Sequence, residues 1–108
     1  MIVLTTPDVP GRKIVEVLGI VRGNAVRGAH LGRDISAFFK NLVGGEIEEY
    51  TKLLAESREQ SLDRMVAEAQ AKGADAIVNV RFATSEVTAG AAEFLAYGTA
   101  VKLAAGTA

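Results

Sequence analysis

Residues with binding or catalytic chemistry are few in this chain, and the first group is a set of arginines. Arg22, Arg27 and Arg33 lie in a glycine-rich segment, residues 22–33, that contains no acidic residue before Asp34. Arginine binds phosphate and carboxylate groups through paired N–H donors, and glycine-rich backbone before a helix favours anions. The spacing matches neither a Walker loop nor a dinucleotide-binding fingerprint. The segment favours a solvated loop between strand and helix, and the alternative is an anion site at these three arginines.

The second group consists of residues that could hold a metal ion. His30 is the single histidine, and the chain has no cysteine. Heavy and borderline metals prefer thiolate or imidazole ligands and usually need at least three of them. His30 is the candidate metal ligand, with an ordinary loop residue as the alternative. Glu46, Glu48 and Glu49 offer oxygen ligands for a divalent cation, but acids at a helix start also complement the helix dipole.

A third group is associated with a long predicted helix. Tyr50 and Arg58 lie on this helix, and Asp75 follows it. Arg58 interrupts the apolar stripe of the helix, so it needs a carboxylate partner such as Asp75, Glu93 or an acid of another subunit. A structural ion pair is the favoured interpretation, and a ligand pocket between subunits at Tyr50, Arg58 and Asp75 is the alternative. A single histidine gives no support for a Ser-His-Asp triad.

Composition limits the class of protein. A chain of 108 residues is one domain, spanning residues 1–108. Apolar residues make up 49% of it, too many for a disordered chain, and no apolar run approaches the ~20 residues of a membrane-spanning helix. The first residues lack the features of a signal peptide, so we expect a cytoplasmic protein without a membrane partner. The net charge of −1 and the lack of basic patches interleaved with aromatic residues argue against nucleic-acid binding.

The elements that must position these residues follow from hydrophobic periodicity and turn residues. Strands are predicted over residues 2–5, 13–21, 76–84 and 92–103, and helices over 33–42 and 49–72. The last two strands form a hairpin, and Gly73 is placed to end the long helix. This order predicts an α+β fold: a β-α-β-β two-layer subunit with a mostly antiparallel sheet, covered by one long helix plus a short helix.

Several features of this fold call for neighbouring subunits. The strand over 13–21 is apolar on both faces, and the long helix would span roughly 36 Å, beyond the ~17–20 Å of a typical strand. A glycine inside a strand, such as Gly98, often marks the close approach of another backbone. The predicted interface residues are Ala96, Gly98 and Ala100 on one face, and Val15, Val17 and Val21 on another.

Short motifs in a fixed order give the chain a family resemblance. They are Val17-Leu18-Gly19-Ile20-Val21, Gly44-Gly45, Tyr50, Arg58, the segment 73–82 and the segment 96–101. Together they cover nearly the whole chain, and they resemble the YbjQ-like family of small bacterial and archaeal proteins. The resemblance implies a subunit of dodecin-like type that assembles into a closed homopentameric ring. It also implies metal binding, because some members carry a heavy-metal-binding label.

From the residues and the resemblance together, we expect a homo-oligomeric protein of unknown function, a pentamer that binds a small anion or a divalent or heavy metal ion. Its main partner is then a further copy of itself. We expect binding rather than catalysis. One alternative is an enzyme whose active site lies between subunits, built from Tyr50, Arg58, Asp75 or the arginine loop. The other is a purely structural or partner-binding module.

Overall fold

The computed structural model describes residues 1–28, 45–88 and 91–106. In chain order the elements are β1 (Ile2–Val3), β2 (Ile14–Gly28), α1 (Gly45–Ala71), β3 (Ala76–Thr88) and β4 (Ala91–Leu103). The four strands form one sheet in the order β1-β3-β4-β2, and α1 packs on one face of it. Only β1 runs parallel to its neighbour. The predicted α+β fold with a mostly antiparallel sheet is therefore confirmed, while the short helix predicted over 33–42 lies outside the described residues.

Strands β2 and β3 are longer than the sequence pattern predicted. We expected β2 to end at Val21, before a run of glycines, but it continues to Gly28, which pairs with Ala91 at the start of β4. Strand β3 likewise runs on to Thr88 instead of ending at Thr84. Pairing with β4 on both sides keeps these segments extended, so tertiary pairing outweighs the local turn preference of the glycines.

The end of α1 shows why the chain reverses where it does. Gly73 has a φ of +77°, the left-handed conformation that glycine adopts without strain. The Ala74 N–H donates to the Ala69 carbonyl at 3.0 Å, and the Gly73 N–H donates to the Gln70 carbonyl at 3.0 Å. This is the hydrogen-bond pair of a Schellman motif, which satisfies the last carbonyls of the helix. The predicted glycine stop is confirmed.

Asp75 then fastens the start of β3 to the end of β4. Its N–H donates to the Val101 carbonyl at 2.9 Å, and its Oδ2 accepts the Leu103 N–H at 2.9 Å. Asp75 thus satisfies both the Val101 carbonyl and the Leu103 N–H where the chain passes from α1 into the sheet. The carboxylate has a structural role in this subunit.

The backbones of α1 and β2 approach each other at Gly23. A Cβ atom on residue 23 would lie 2.2 Å from the Ser61 carbonyl oxygen and 2.3 Å from the Met65 nitrogen, so no side chain fits there. Two small residues of α1, Ser57 and Ser61, are buried on the side of the helix that faces the sheet. The Ser61 Oγ lies 2.9 Å from the Ser57 carbonyl oxygen and 2.8 Å from the Phe94 carbonyl oxygen, so the hydroxyl group joins the helix to β4.

The apolar core has two parts, one on each face of the sheet. Under α1 the buried residues are Val21, Met65, Ala69, Ile77, Val80, Ala96 and Ala100. On the opposite face a smaller cluster contains Val9, Ala76, Val78, Val101 and Leu103, with Ile2, Leu4 and Ile14 packed against it. The N-terminal segment therefore covers one end of this second face.

The structure corrects the predicted interface residues. Ala96 and Ala100 are buried under the subunit's own helix, and Gly98 contacts Ile77 and Val80, so the small-residue face is not an intersubunit surface. Val21 does not share an exposed face with Val15 and Val17, because pairing of β2 with β4 is irregular between Ile14 and Glu16 and again between Val17 and Gly19. These bulges break the two-residue alternation: Val21 is fully buried, whereas Val15 and Val17 are exposed.

The approach at Gly23 yields a first stability prediction. Gly23→Ala should lower the free energy of unfolding by about 1–3 kcal/mol, because the new methyl group forces α1 away from β2. The matched control is Gly106→Ala, where a Cβ meets nothing closer than 3.8 Å; it should change stability by no more than about 0.5 kcal/mol. Denaturant unfolding measures both. Equal midpoints for Gly23→Ala and the natural chain would contradict the described packing.

A second prediction concerns Asp75. Asp75→Ala should lower the free energy of unfolding by about 1 kcal/mol, since the Leu103 N–H loses its acceptor. Asp75→Asn keeps a side-chain oxygen in the same place and should lose less than half of that. Denaturant unfolding of the two variants separates the roles: if both lose equally, the negative charge rather than the hydrogen bond is what matters.

Candidate functional site

The candidate site lies on the face of the sheet that points away from α1. We call this surface the open face and define it by three cross-strand rows from β2, β4 and β3: Ile20–Thr99–Val78, Arg22–Tyr97–Arg81 and Asn24–Leu95–Ala83. Residues directly opposite one another in an antiparallel sheet project to the same side. Ala96 and Gly98, which flank Tyr97, are buried under α1, and Tyr97 therefore projects to the open face.

The middle row places one aromatic ring between two arginines. Tyr97 is 39% exposed, and both Arg22 and Arg81 are exposed. Within the part of the chain that the structure describes, the Arg22 guanidinium has no hydrogen-bond or ion-pair partner. Arg81 is held at one nitrogen, since its Nη1 donates to the Thr5 carbonyl at 3.0 Å and the Val80 carbonyl at 2.9 Å. Its Nε and Nη2 groups keep their donors.

The nearest acid in register on this face does not neutralise the two arginines. Glu93 lies four residues from Tyr97 along β4, about 13 Å away at the rise of a strand. Its Oε2 accepts a hydrogen bond from the Asn24 Nδ2 at 3.1 Å. The middle row is therefore a local concentration of positive charge on a chain whose net charge is −1.

Exposed apolar side chains of β2 lie beside the middle row, and the outer edge of this strand is unpaired in the described chain. Val17 is 66% exposed and Ile20 is 69% exposed. Among the described residues, β2 has a strand neighbour only on its β4 side. One backbone carbonyl of β2, that of Asn24, accepts a hydrogen bond from the Arg64 Nη1 of α1 at 2.6 Å.

Of the three arginines predicted to bind an anion, the structure describes the side chain of Arg22 alone. Arg22 lies on the open face, whereas Arg27 pairs with Ala92 near the far end of the sheet and its side chain lies outside the described residues. Arg33 and the candidate metal ligand His30 also lie outside them. The three-arginine site and the His30 site stay predictions.

Tyr50, Arg58 and Asp75 do not come together within one subunit. Tyr50 is near the start of α1, and Asp75 follows its end; the 21 residues from Tyr50 to Ala71 span about 32 Å. In the described chain the Asp75 carboxylate accepts the Leu103 N–H, and Glu93 accepts from Asn24. Arg58 is exposed and contacts neither carboxylate there. A pocket that these residues form between subunits stays a prediction.

The donor set does not fit a heavy-metal site in the described part of the chain. The sequence has no cysteine and one histidine. Among the side chains that the structure describes, those of residues 1–26, 51–86 and 91–106, no three histidine, aspartate or glutamate groups are placed to share an ion. The side chains of Glu46, Glu48 and Glu49 lie outside these ranges. A structural or catalytic metal centre usually takes three or four such ligands. No α-helix within these ranges has the length and apolarity to cross a membrane.

Sequence reasoning missed Tyr97 and Arg81 as members of a site with Arg22. It grouped Arg22 with its neighbours along the chain, whereas the sheet groups it with residues 59 and 75 positions away. The usable signal was the predicted hairpin, because a hairpin places residues of its two strands opposite one another and brings Tyr97 into register with Arg81.

Comparison with known proteins agrees with this fold and identifies the family. Residues 1–104 match a family model for YbjQ proteins described as "putative heavy-metal-binding". A UPF0145 protein of Archaeoglobus fulgidus is 59% identical over 95% of both chains, and one of Photobacterium profundum is 58% identical over 95% of this chain and all of its own. A crystal structure of a Pediococcus pentosaceus protein of unknown function shares the fold, with a TM-score of 0.65 at 15% identity, covering 96% of this chain and 98% of that one. The chain therefore belongs to the YbjQ family, whose members similar to it are named UPF0145 proteins.

Proposed function

We propose that this protein is a homo-oligomer, a closed ring of five subunits, that binds a small ligand on its assembled sheet. The observation that carries the proposal is β2: a strand of 15 residues whose outer edge has no strand neighbour among the described residues and whose exposed side chains include Val15, Val17 and Ile20. Unpaired backbone next to exposed apolar side chains favours association with another chain.

A second edge offers the complementary surface. The N-terminal segment pairs with the first part of β3, where the Leu4 N–H donates to the Ile77 carbonyl at 2.9 Å and the Val80 N–H donates to the Leu4 carbonyl at 3.0 Å. In the described chain, no strand lies beside the later part of β3, residues 82–88. The outer edge of β2 in one subunit can therefore pair with the free edge of β3 in the next, which is head-to-tail association. Such association gives a ring when successive rotations between subunits add up to a full turn. The ring size of five rests on the family resemblance.

The dimensions of the subunit also favour assembly. Its radius of gyration is 17.2 Å and its extents are 54 × 24 × 18 Å. A compact chain of this length has a radius of about 13 Å. The extended shape arises because one helix covers one face of a long sheet, and it leaves Phe82, beside the helix, 52% exposed.

The chemistry of the ligand follows from the charges of the open face. Two arginines that have no ion-pair partner in the described chain attract an anion, and the lack of thiolate ligands disfavours a heavy metal. A thermal-shift screen against metal ions and small anions separates the two, because a ligand that binds only the native state raises its melting temperature. Turnover of a stabilising compound would support the alternative of an enzyme, and stabilisation by no compound would support a purely structural module.

The assembly predicts a mass and a response to surface charge. Light scattering should give five times the chain mass of 11.3 kDa. Val17→Lys and Ile20→Lys should each shift the mass toward the monomer while the circular dichroism spectrum stays that of a folded chain, because both side chains are exposed in the single subunit.

Ala67→Lys is the matched control for this experiment. It adds the same charge at an exposed position of α1 and should leave the assembled mass unchanged. A natural chain that elutes as an 11.3 kDa monomer would contradict the proposal. So would Ile20→Lys with the full assembled mass.

A further inference from the structure

We propose that Arg22, Tyr97 and Arg81 form a binding site for a small oxyanion carried on a flat ring, the chemistry of a mononucleotide. This inference rests on the proposed function, because it names the class and the position of the small ligand. Pairing of the strands, rather than sequence proximity, brings these three residues together.

The register of the sheet gives the site its dimensions. Neighbouring strands lie about 4.8 Å apart, so the Cα atoms of Arg22 and Arg81 are separated by about 10 Å with Tyr97 midway between them. An arginine side chain is long enough to cross one strand spacing. The Arg22 guanidinium can therefore reach a phosphate or carboxylate group above the middle row. The Arg81 guanidinium reaches the same group from the other side by turning away from the Thr5 and Val80 carbonyls, which its Nη1 contacts in the unliganded subunit.

The charges of the row favour an anion over a cation. Arg22 has no partner in the described chain, and Arg81 retains the donors of Nε and Nη2. Glu93, the nearest acid in register on the open face, is two rows away. An oxyanion supplies the negative charge that this row lacks and accepts paired hydrogen bonds from guanidinium groups, a strong and directional contact.

The second half of the ligand is recognised by Tyr97 and its apolar neighbours. The Tyr97 ring is partly exposed, with Ile20 and Leu95 in the rows on either side of it. Stacking of a flat ring on an aromatic side chain does not depend on the identity of the ring, so it adds affinity for the class and little selectivity within it. A ligand that has both a ring and an oxyanion therefore binds more tightly than either part alone.

The chain has two tyrosines and no tryptophan, which makes Tyr97 directly observable. With ¹³C-labelled tyrosine rings, the natural protein shows two sets of ring signals, and Tyr50→Phe identifies the Tyr97 set. Titration with adenosine monophosphate should move the Tyr97 signals to saturation. Inorganic phosphate and adenosine should each bind at least about tenfold more weakly.

Arg22→Gln is the decisive variant, because Arg22 has no described partner and its replacement should not alter folding. It should weaken the binding of adenosine monophosphate about fivefold or more. Arg81→Lys keeps the charge and removes the planar fork, and it should weaken binding as well. The control is Lys72→Gln, which removes one positive charge at an exposed position just after α1 and should bind like the natural protein.

The outcomes of the titration separate this inference from the assembly. Tyr97 signals that do not move, or an Arg22→Gln variant that binds as well as the natural protein, would overturn the site even if light scattering finds the ring. Weakening by Lys72→Gln as large as that by Arg22→Gln would also overturn it, because it would indicate general attraction to positive charge. Saturable binding at Tyr97 in a monomeric protein would support the site and contradict the assembly.

Discussion

The close approach of α1 to β2 at Gly23 is the constraint on which the rest of this structure depends. Because residue 23 has no side chain, the backbone of α1 lies directly against β2. The short side chains of Ser57 and Ser61 allow the helix to lie close to the sheet. The helix is thereby positioned over β2 and β4, and its contact with β3 is slight. A single helix placed in this way covers one face of the sheet and leaves the other face to the short N-terminal segment.

The candidate site and the proposed assembly both result from this incomplete covering. Val9, Leu4 and Ile2 close one end of the second face by packing on Val78 and Val101. Beyond that end the sheet has no second layer within the described chain, and Arg22, Tyr97 and the apolar side chains of β2 remain exposed. A binding surface and an association surface are therefore neighbours on one strand.

The fold could be predicted from sequence where local signals and tertiary demands agree. The helical periodicity before Gly73 and the alternation of the final hairpin gave the correct elements, because capping and pairing act on the same residues. The faces of β2 could not be predicted, since two bulges reverse its alternation and depend on pairing with β4. Strand pairing likewise places Arg22 beside Tyr97 and Arg81, and sequence proximity alone groups it with Arg27 and Arg33.

The central claim is that the outer edge of β2 is paired with another copy of the chain. Hydrogen exchange of the β2 amides at the concentration of the assembled protein tests it most directly. Amides in a strand ladder exchange slowly, whereas those on an unpaired, solvent-exposed edge exchange rapidly. If the outer edge of β2 is paired with another copy, exchange should be slow for the amides that face outward as well as for those bonded to β4. Rapid exchange of every second amide, with protection only on the β4 side, would contradict it.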